Sequence, residues 1–142
     1  MGLSRLEQYD ADEWTMRLRR GWSGWSEDGL HHFAHSGSTG VLHVEAFHKP
    51  TEISDLDLGQ FAQVKNLINA APVRTKDGFS GSVFGPEEDS IVDRSWVLRK
   101  DRFLFHLSVT GFYEHEPDRA RDIDHMIRSL KLASQEQPKR NV

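Results

Sequence analysis

The chain has no cysteine. That excludes disulfides, thiolate metal sites and a cysteine nucleophile, so whatever holds the fold together is packing and hydrogen bonding. It has no run approaching the ~18 apolar residues of a membrane helix, and "MGLSRLEQYDADEW" at the start lacks the apolar stretch of a secretory signal. Leu6 stands where a myristoylation pattern wants Ser or Thr. It has no excess of basic residues either: the net charge is −4, against the basic face that a general nucleic-acid binder carries. There is no internal repeat and no low-complexity linker. A cytoplasmic protein without membrane insertion is expected.

What is present suffices for one core. Across 142 residues, 37% are hydrophobic and 10% aromatic, which suits a single domain. An ordered part of about 9–133 is expected, with 134–142 a frayed tail around Pro138.

Alternation marks the strands. In "WTMRLRR", Trp14, Met16 and Leu18 point one way. "LHHFAH" and "VLHVEAFH" read as two more strands around the loop "SGSTG". "GWSGWSEDG" between them reads as a turn. "SDLDLGQFAQVKNLIN" is a helix with Ser54 as cap, Asp57 completing a capping box, and Leu58, Phe61, Val64, Leu67 and Ile68 as its stripe. Gly59 weakens it. "APVRTKDGFSGSVFGP" reads as two strands around Asp77-Gly78, and "EEDS" after it as an acidic loop. "RSWVLRKDRFLFHLSVTGF" is a hairpin turning at Lys100-Asp101, which sets Leu98 opposite Phe103 and Trp96 opposite Phe105. Trp96, Leu98, Phe103, Phe105, Leu107 and Val109 then form a core face. Val97, Arg99, Arg102, Leu104, His106, Ser108 and Thr110 form a mixed face. "EPDRARDIDHMIRSLKLAS" is a second helix, entered at Pro117, with Ala120, Ile123, Met126, Ile127 and Leu130 inward. The fold class is α+β: a twisted, mainly antiparallel sheet of about six or seven strands with two helices on it, in the order βββαββββα.

This order resembles the PsbP-like superfamily, which includes Ran-binding Mog-type proteins and bacterial adaptor-like domains. The resemblance spans residues 9 to 133. It is carried by the strand ending in "RRGW", the hairpin after it, the "DLGQFAQ" helix, the "WVLRKDRFLFHLSVT" hairpin and the closing "IDHMIRSLKL" helix. It implies protein binding rather than catalysis. One bacterial branch consists of adaptor chaperones for type VI secretion effectors; no motif of that branch is found here.

Five of the eight histidines lie between His31 and His48. With "SGSTG" as the loop, His35 faces Val41, Phe33 faces His43 and His31 faces Glu45. His31, His35, His43 and Glu45 then share one face and come within reach of one metal such as zinc, iron or nickel. A slip of one residue would dissolve the cluster, and ordinary strand histidines are the simpler reading. Ser108 near His106 has no acidic partner, so it makes no triad. Asp118, Asp122 and Asp124 read as a solvated helix face. "GFSGSVFG" lacks the lysine and the helix of a P-loop.

Trp22 and Trp25 either plug the core or anchor a partner, with Arg17, Arg19 and Arg20 as a rim. The expected function is that of a non-catalytic protein-interaction domain, an adaptor, chaperone or inhibitor (immunity-type) protein. Its partner surface combines Trp22 and Trp25 with Arg99, His106 and Thr110. The partner is another protein, with a homodimer left open, and no cofactor is expected. Two alternatives remain: a metal-dependent enzyme on the histidine hairpin, and a small-ligand carrier with a pocket near His106.

Overall fold

The computed structural model describes residues 7–85 and 91–133. The expected tail, 134–142, and the "EEDS" loop lie outside those residues. The order of elements is β1 (Glu7–Asp10), β2 (Trp14–Leu18), β3 (Trp22–Glu27), β4 (Leu30–His35), β5 (Val41–His48), α1 (Asp55–Val64), β6 (Ala70–Arg74), β7 (Ser80–Phe84), β8 (Ser95–Lys100), β9 (Phe103–Thr110), α2 (Pro117–Arg128) and β10 (Lys131–Leu132). Seven strands form one antiparallel sheet in the order β3-β4-β5-β9-β8-β7-β6, and β1-β2-β10 form a small second sheet. The α+β expectation therefore holds, with strands added at both ends of the described chain.

The inner face of the large sheet carries the main core. Phe33, Leu42, Val44, Leu98, Phe105 and Leu107 project from it and are fully buried. They meet Trp14, Met16 and Leu18 of β2 and Ile123, Met126 and Ile127 of α2 in one cluster. The alternation of β2 and the stripe of α2 thus do what their periods imply.

The outer face carries a smaller cluster, in which Ile53, Phe84, Val97 and Leu104 meet Leu58, Phe61, Ala62 and Leu67 of α1 and its exit. The capping box forms as expected: the Asp57 amide donates to Ser54 Oγ (3.1 Å), and the Ser54 amide donates to Asp57 Oδ2 (2.8 Å). Lys49 also contacts Asp57 at 2.9 Å. These contacts hold the Asp57 carboxyl below its usual range, the Ser54 amide first among them. Val64 and Ile68, expected in the stripe, are instead exposed. The helix ends at Val64, and Asn66 turns left-handed (φ 59°), so helical spacing no longer governs Ile68.

Three further readings are corrected. "GWSGWSEDG" is an edge strand, β3, rather than a turn. Its small residues have a packing cause: a Cβ on Gly24 would lie 2.6 Å from the Phe33 ring and 2.9 Å from Tyr9. The β8–β9 turn falls at Asp101-Arg102, so Leu98 pairs with Phe105 and Trp96 with Leu107. Asp101 takes the left-handed conformation there (φ 54°), which aspartate tolerates. The β4–β5 register pairs Phe33 with Leu42, His32 with His43 and His31 with Val44. That is one residue away from the expected pairing, and it moves His43 and Glu45 to the face opposite His31 and His35.

Candidate functional site

Helix α1 covers the outer face over β7, β8 and β9, and the β3–β4–β5 side lies beyond it. Cross-strand pairing lines up a row on this open side: Trp25 beside His32, His32 beside His43, and His43 beside Ser108. Trp25 is 42% exposed, high for a tryptophan on a strand. Its ring lies 5.4 Å from that of His32, at 30°.

Polar contacts run along the row. His32 Nδ1 and His43 Nδ1 are 3.0 Å apart. His43 Nε2 lies 2.8 Å from Thr110 Oγ1. His32 Nε2 faces the Glu27 carboxylate oxygen Oε1 at 3.6 Å, longer than a hydrogen bond. The carboxylate favours the hydrogen on His32 Nε2, which leaves Nδ1 to accept. His43 then donates through Nδ1 and accepts the Thr110 hydroxyl at Nε2. Burial, and then the charge of neighbouring His32, hold the His43 imidazole below its ordinary pKa.

Of the residues predicted for partner binding, the row joins two. Trp25 and Thr110 are both exposed and are linked through His32 and His43. Trp22 is turned into the core, 4% exposed, and donates through Nε1 to Asp122 Oδ2 at 2.8 Å. Arg99 lies under the start of α1, donating to the Ile53 carbonyl (2.7 Å) and pairing with Asp55 (2.8 Å). His106 sits against Phe61 of α1, ring centroids 5.2 Å apart, with its Nε2 buried and without a hydrogen-bond partner. Val97 and Leu104 give the mixed face its apolar part because they are the floor on which α1 rests.

The expected metal cluster is divided by the register. His31 and His35 point inward: His31 Nδ1 meets the Tyr9 hydroxyl at 2.8 Å, and His35 Nδ1 accepts from the Gly37 amide (2.8 Å) and Arg119 (2.6 Å). His43 and Glu45 lie on the outer face. Among the described residues, no three His, Asp or Glu side chains gather as metal ligands. His32, which the sequence reading set apart from His43, is the residue it missed. The signal was available: a register that buries Phe33, Leu42 and Val44 together also puts His32 beside His43.

The grooves lie elsewhere too. One of about 790 Å³ runs between α1 and the outer side of β6–β8, past Leu58, Ala62, Phe84 and Arg99. Another of about 840 Å³ runs between α2 and the opposite side of β6–β7, past Val73, Val83 and Trp96. Ala70, Pro72 and Val73 of β6 line both, and Ser80, Gly81 and Ser82 of β7 line the first. His106 lines neither, so the pocket expected near it is filled by Phe61.

Three histidines make stability depend on pH. His31, His43 and His106 all have pKa values below the ordinary 6.5, in each case chiefly through burial. Lys65 adds to the effect at His106 and Glu45 opposes it. His32 adds to it at His31, where Asp12 opposes it. Above the ordinary value, folded and unfolded chains are both neutral at these sites. As pH falls through that value, the unfolded chain takes up protons that the folded chain resists, so stability declines. The melting temperature is expected to drop between about pH 7.5 and about pH 5.5. His106→Gln and His43→Gln should each flatten the drop; an unchanged melting temperature across this window would contradict the account.

A seven-stranded antiparallel sheet with one helix on its outer face, and a helix and a short sheet on its inner face, defines a PsbP-like α+β domain. Solved structures carry the same fold. The solution structure of cyanobacterial PsbP (CyanoP) from Synechocystis sp. PCC 6803 is similar, with a TM-score of 0.60 and 18% identity over 92% of this chain and 94% of that one. A crystal structure from Bacteroides thetaiotaomicron VPI-5482 is similar at a TM-score of 0.63 and 15% identity. The match covers 86% of this chain and 46% of that one, so this chain spans less than half of that protein. At such identities the likeness establishes the fold alone. No protein-family model and no curated protein matches the sequence. No helix among the described residues is long and apolar enough to cross a membrane.

Proposed function

We propose that the chain is a non-catalytic protein-interaction domain of adaptor, chaperone or inhibitor type, acting in the cytoplasm and docking another protein on the open side of its outer sheet face. One observation carries this reading. Trp25 stays 42% exposed on the edge strand β3, beside polar groups of His32, His43 and Thr110 that can fix a partner's orientation. A large aromatic next to such groups is the usual composition of an interface hot spot. Trp22, Arg99 and His106, engaged in the fold, leave the proposed surface, and Trp25 and Thr110 remain in it.

The test uses a photo-crosslinking residue in place of Ser23, next to Trp25 on β3, in the native host. One defined partner should be captured, and purified partner should bind wild type but lose about 2 kcal/mol or more of affinity to Trp25→Ala. A partner bound equally well by Trp25→Ala would refute this surface. Capture only from a position on α2 would move the interface to the other side of the molecule.

A further inference from the structure

We propose that His32 and His43 form a two-imidazole site for a divalent first-row transition metal, Zn²⁺, Ni²⁺ or Cu²⁺, on the open face of the sheet. The inference goes beyond protein docking and does not depend on it.

Distance is the first argument. Two imidazole nitrogens on one metal, each about 2.0–2.1 Å from it at angles between square and tetrahedral, lie about 2.9–3.4 Å from each other. His32 Nδ1 and His43 Nδ1 are 3.0 Å apart. Their strands hold them there: the two residues are directly paired across β4 and β5, so backbone hydrogen bonding sets the spacing.

The far nitrogens supply the second argument. Metal-bound histidines commonly pass their other N–H to a carboxylate, carbonyl or water, which fixes ring and tautomer. Here His32 Nε2 faces Glu27 at 3.6 Å and His43 Nε2 contacts Thr110 Oγ1 at 2.8 Å. Thr110 stands at hydrogen-bond distance for metal ligation through Nδ1 of His43, and the exposed Glu27 side chain needs to close by about half an ångström to serve His32 in the same way.

The proton balance closes. Without metal, His43 carries its hydrogen on Nδ1 and donates it to His32. With metal, that hydrogen sits on Nε2, and the Thr110 hydroxyl turns from donor to acceptor. Both rings turn about their Cβ–Cγ bonds so that the two Nδ1 lone pairs, which lie along the line between the nitrogens without metal, converge on the ion, and no proton is gained or lost while the imidazoles are neutral. Below the histidine range, protons compete for the same lone pairs, so affinity falls with acidity. Two nitrogen ligands leave positions for water or for a donor from another molecule. They favour zinc, nickel and copper over calcium and magnesium, which take oxygen.

The experiment is calorimetric titration of the full chain, freed of any affinity tag, with Zn²⁺, and with Mg²⁺ as a contrast. One equivalent of zinc should bind saturably, and magnesium should not. His32→Gln and His43→Gln keep polar side chains of similar reach. Their fold is checked by circular dichroism, and each should lose more affinity than the roughly tenfold expected of Glu27→Gln, which removes only an outer contact. His48→Gln and His125→Gln, at exposed sites away from the row, should bind as wild type does. A second readout comes from Cu²⁺, which should quench fluorescence from Trp25 beside His32; the quenched component should vanish in Trp25→Phe. Absence of saturable zinc binding, or zinc affinity unchanged in both His32→Gln and His43→Gln, would overturn the site.

Discussion

Phe105→Ala is expected to destabilise the domain by about 3–5 kcal/mol, a large part of the stability of a domain this size. Phe105 is fully buried. Its ring meets Trp14 at 5.6 Å and Phe79 at 5.4 Å, both edge-on, so it joins the small sheet and the β6–β7 turn to the main sheet. Removing it leaves a cavity between elements that are each fixed by their own hydrogen bonds and cannot collapse into it. Urea unfolding followed by circular dichroism measures the change; a midpoint near that of wild type would show that the inner face is assigned wrongly.

Gly81→Ala should cost about 3 kcal/mol, although it adds a single methyl group. In β7, Gly81 pairs with Leu98 of β8. A Cβ there would lie 2.0 Å from the Val97 carbonyl oxygen and 2.9 Å from the Leu98 Cα. Both are backbone atoms, so no side chain can swing aside. Strand β8 would have to move, and Trp96 and Leu98 anchor it in the core. Gly59→Ala is the contrast. A Cβ at Gly59 meets nothing within 4 Å, and alanine gains about 1 kcal/mol of helix propensity in α1. The same substitution at the two glycines should thus shift the urea midpoint in opposite directions. Equal shifts would mean that conformational entropy, not contact, governs both.

The two hairpins show what a single sequence can and cannot disclose. At β8–β9 the expected turn was placed so that every pairing is off by two residues. Side chains alternate with period two, so the inward face of Trp96, Leu98, Phe103, Phe105, Leu107 and Val109 was read correctly in spite of the slip. At β4–β5 the slip was one residue, and it carried His43 and Glu45 to the wrong company. Six residues, His35 to Gly40, separate the last β4–β5 pair, Ala34 with Val41, and they are shaped by contacts distant in sequence: His35 to Arg119, and Gly40 under the Phe112 ring, where a Cβ would lie 2.2 Å away. No local pattern encodes those contacts. Edge strands β1 and β10 were missed for another reason: "EQYD" and "KL" bury little, so they show no hydrophobic alternation. The candidate site suffered most, since Trp22 and Trp25 differ only in which face of one strand they occupy. Arg99 and His106 looked free because nothing in their own strands reveals where α1 settles.

The small second sheet has a kinetic consequence. Strand β10 pairs Leu132 with Trp14 and Lys131 with Thr15. That contact closes a loop spanning nearly the whole described chain, and the entropy of closing it must be met before two residues' worth of pairing gives anything back. It can therefore form only once the large sheet has brought its ends together, placing it after the rate-limiting step of folding. In the native state the same strand is the first to let go, opening locally while the seven-stranded sheet stays closed. Amide hydrogens at Lys131 and Leu132 should exchange with solvent orders of magnitude faster than those of Leu98 or Leu107. The C-terminal end of the described chain is thus held to β2, with β1 on that strand's other side, by its least durable pairing.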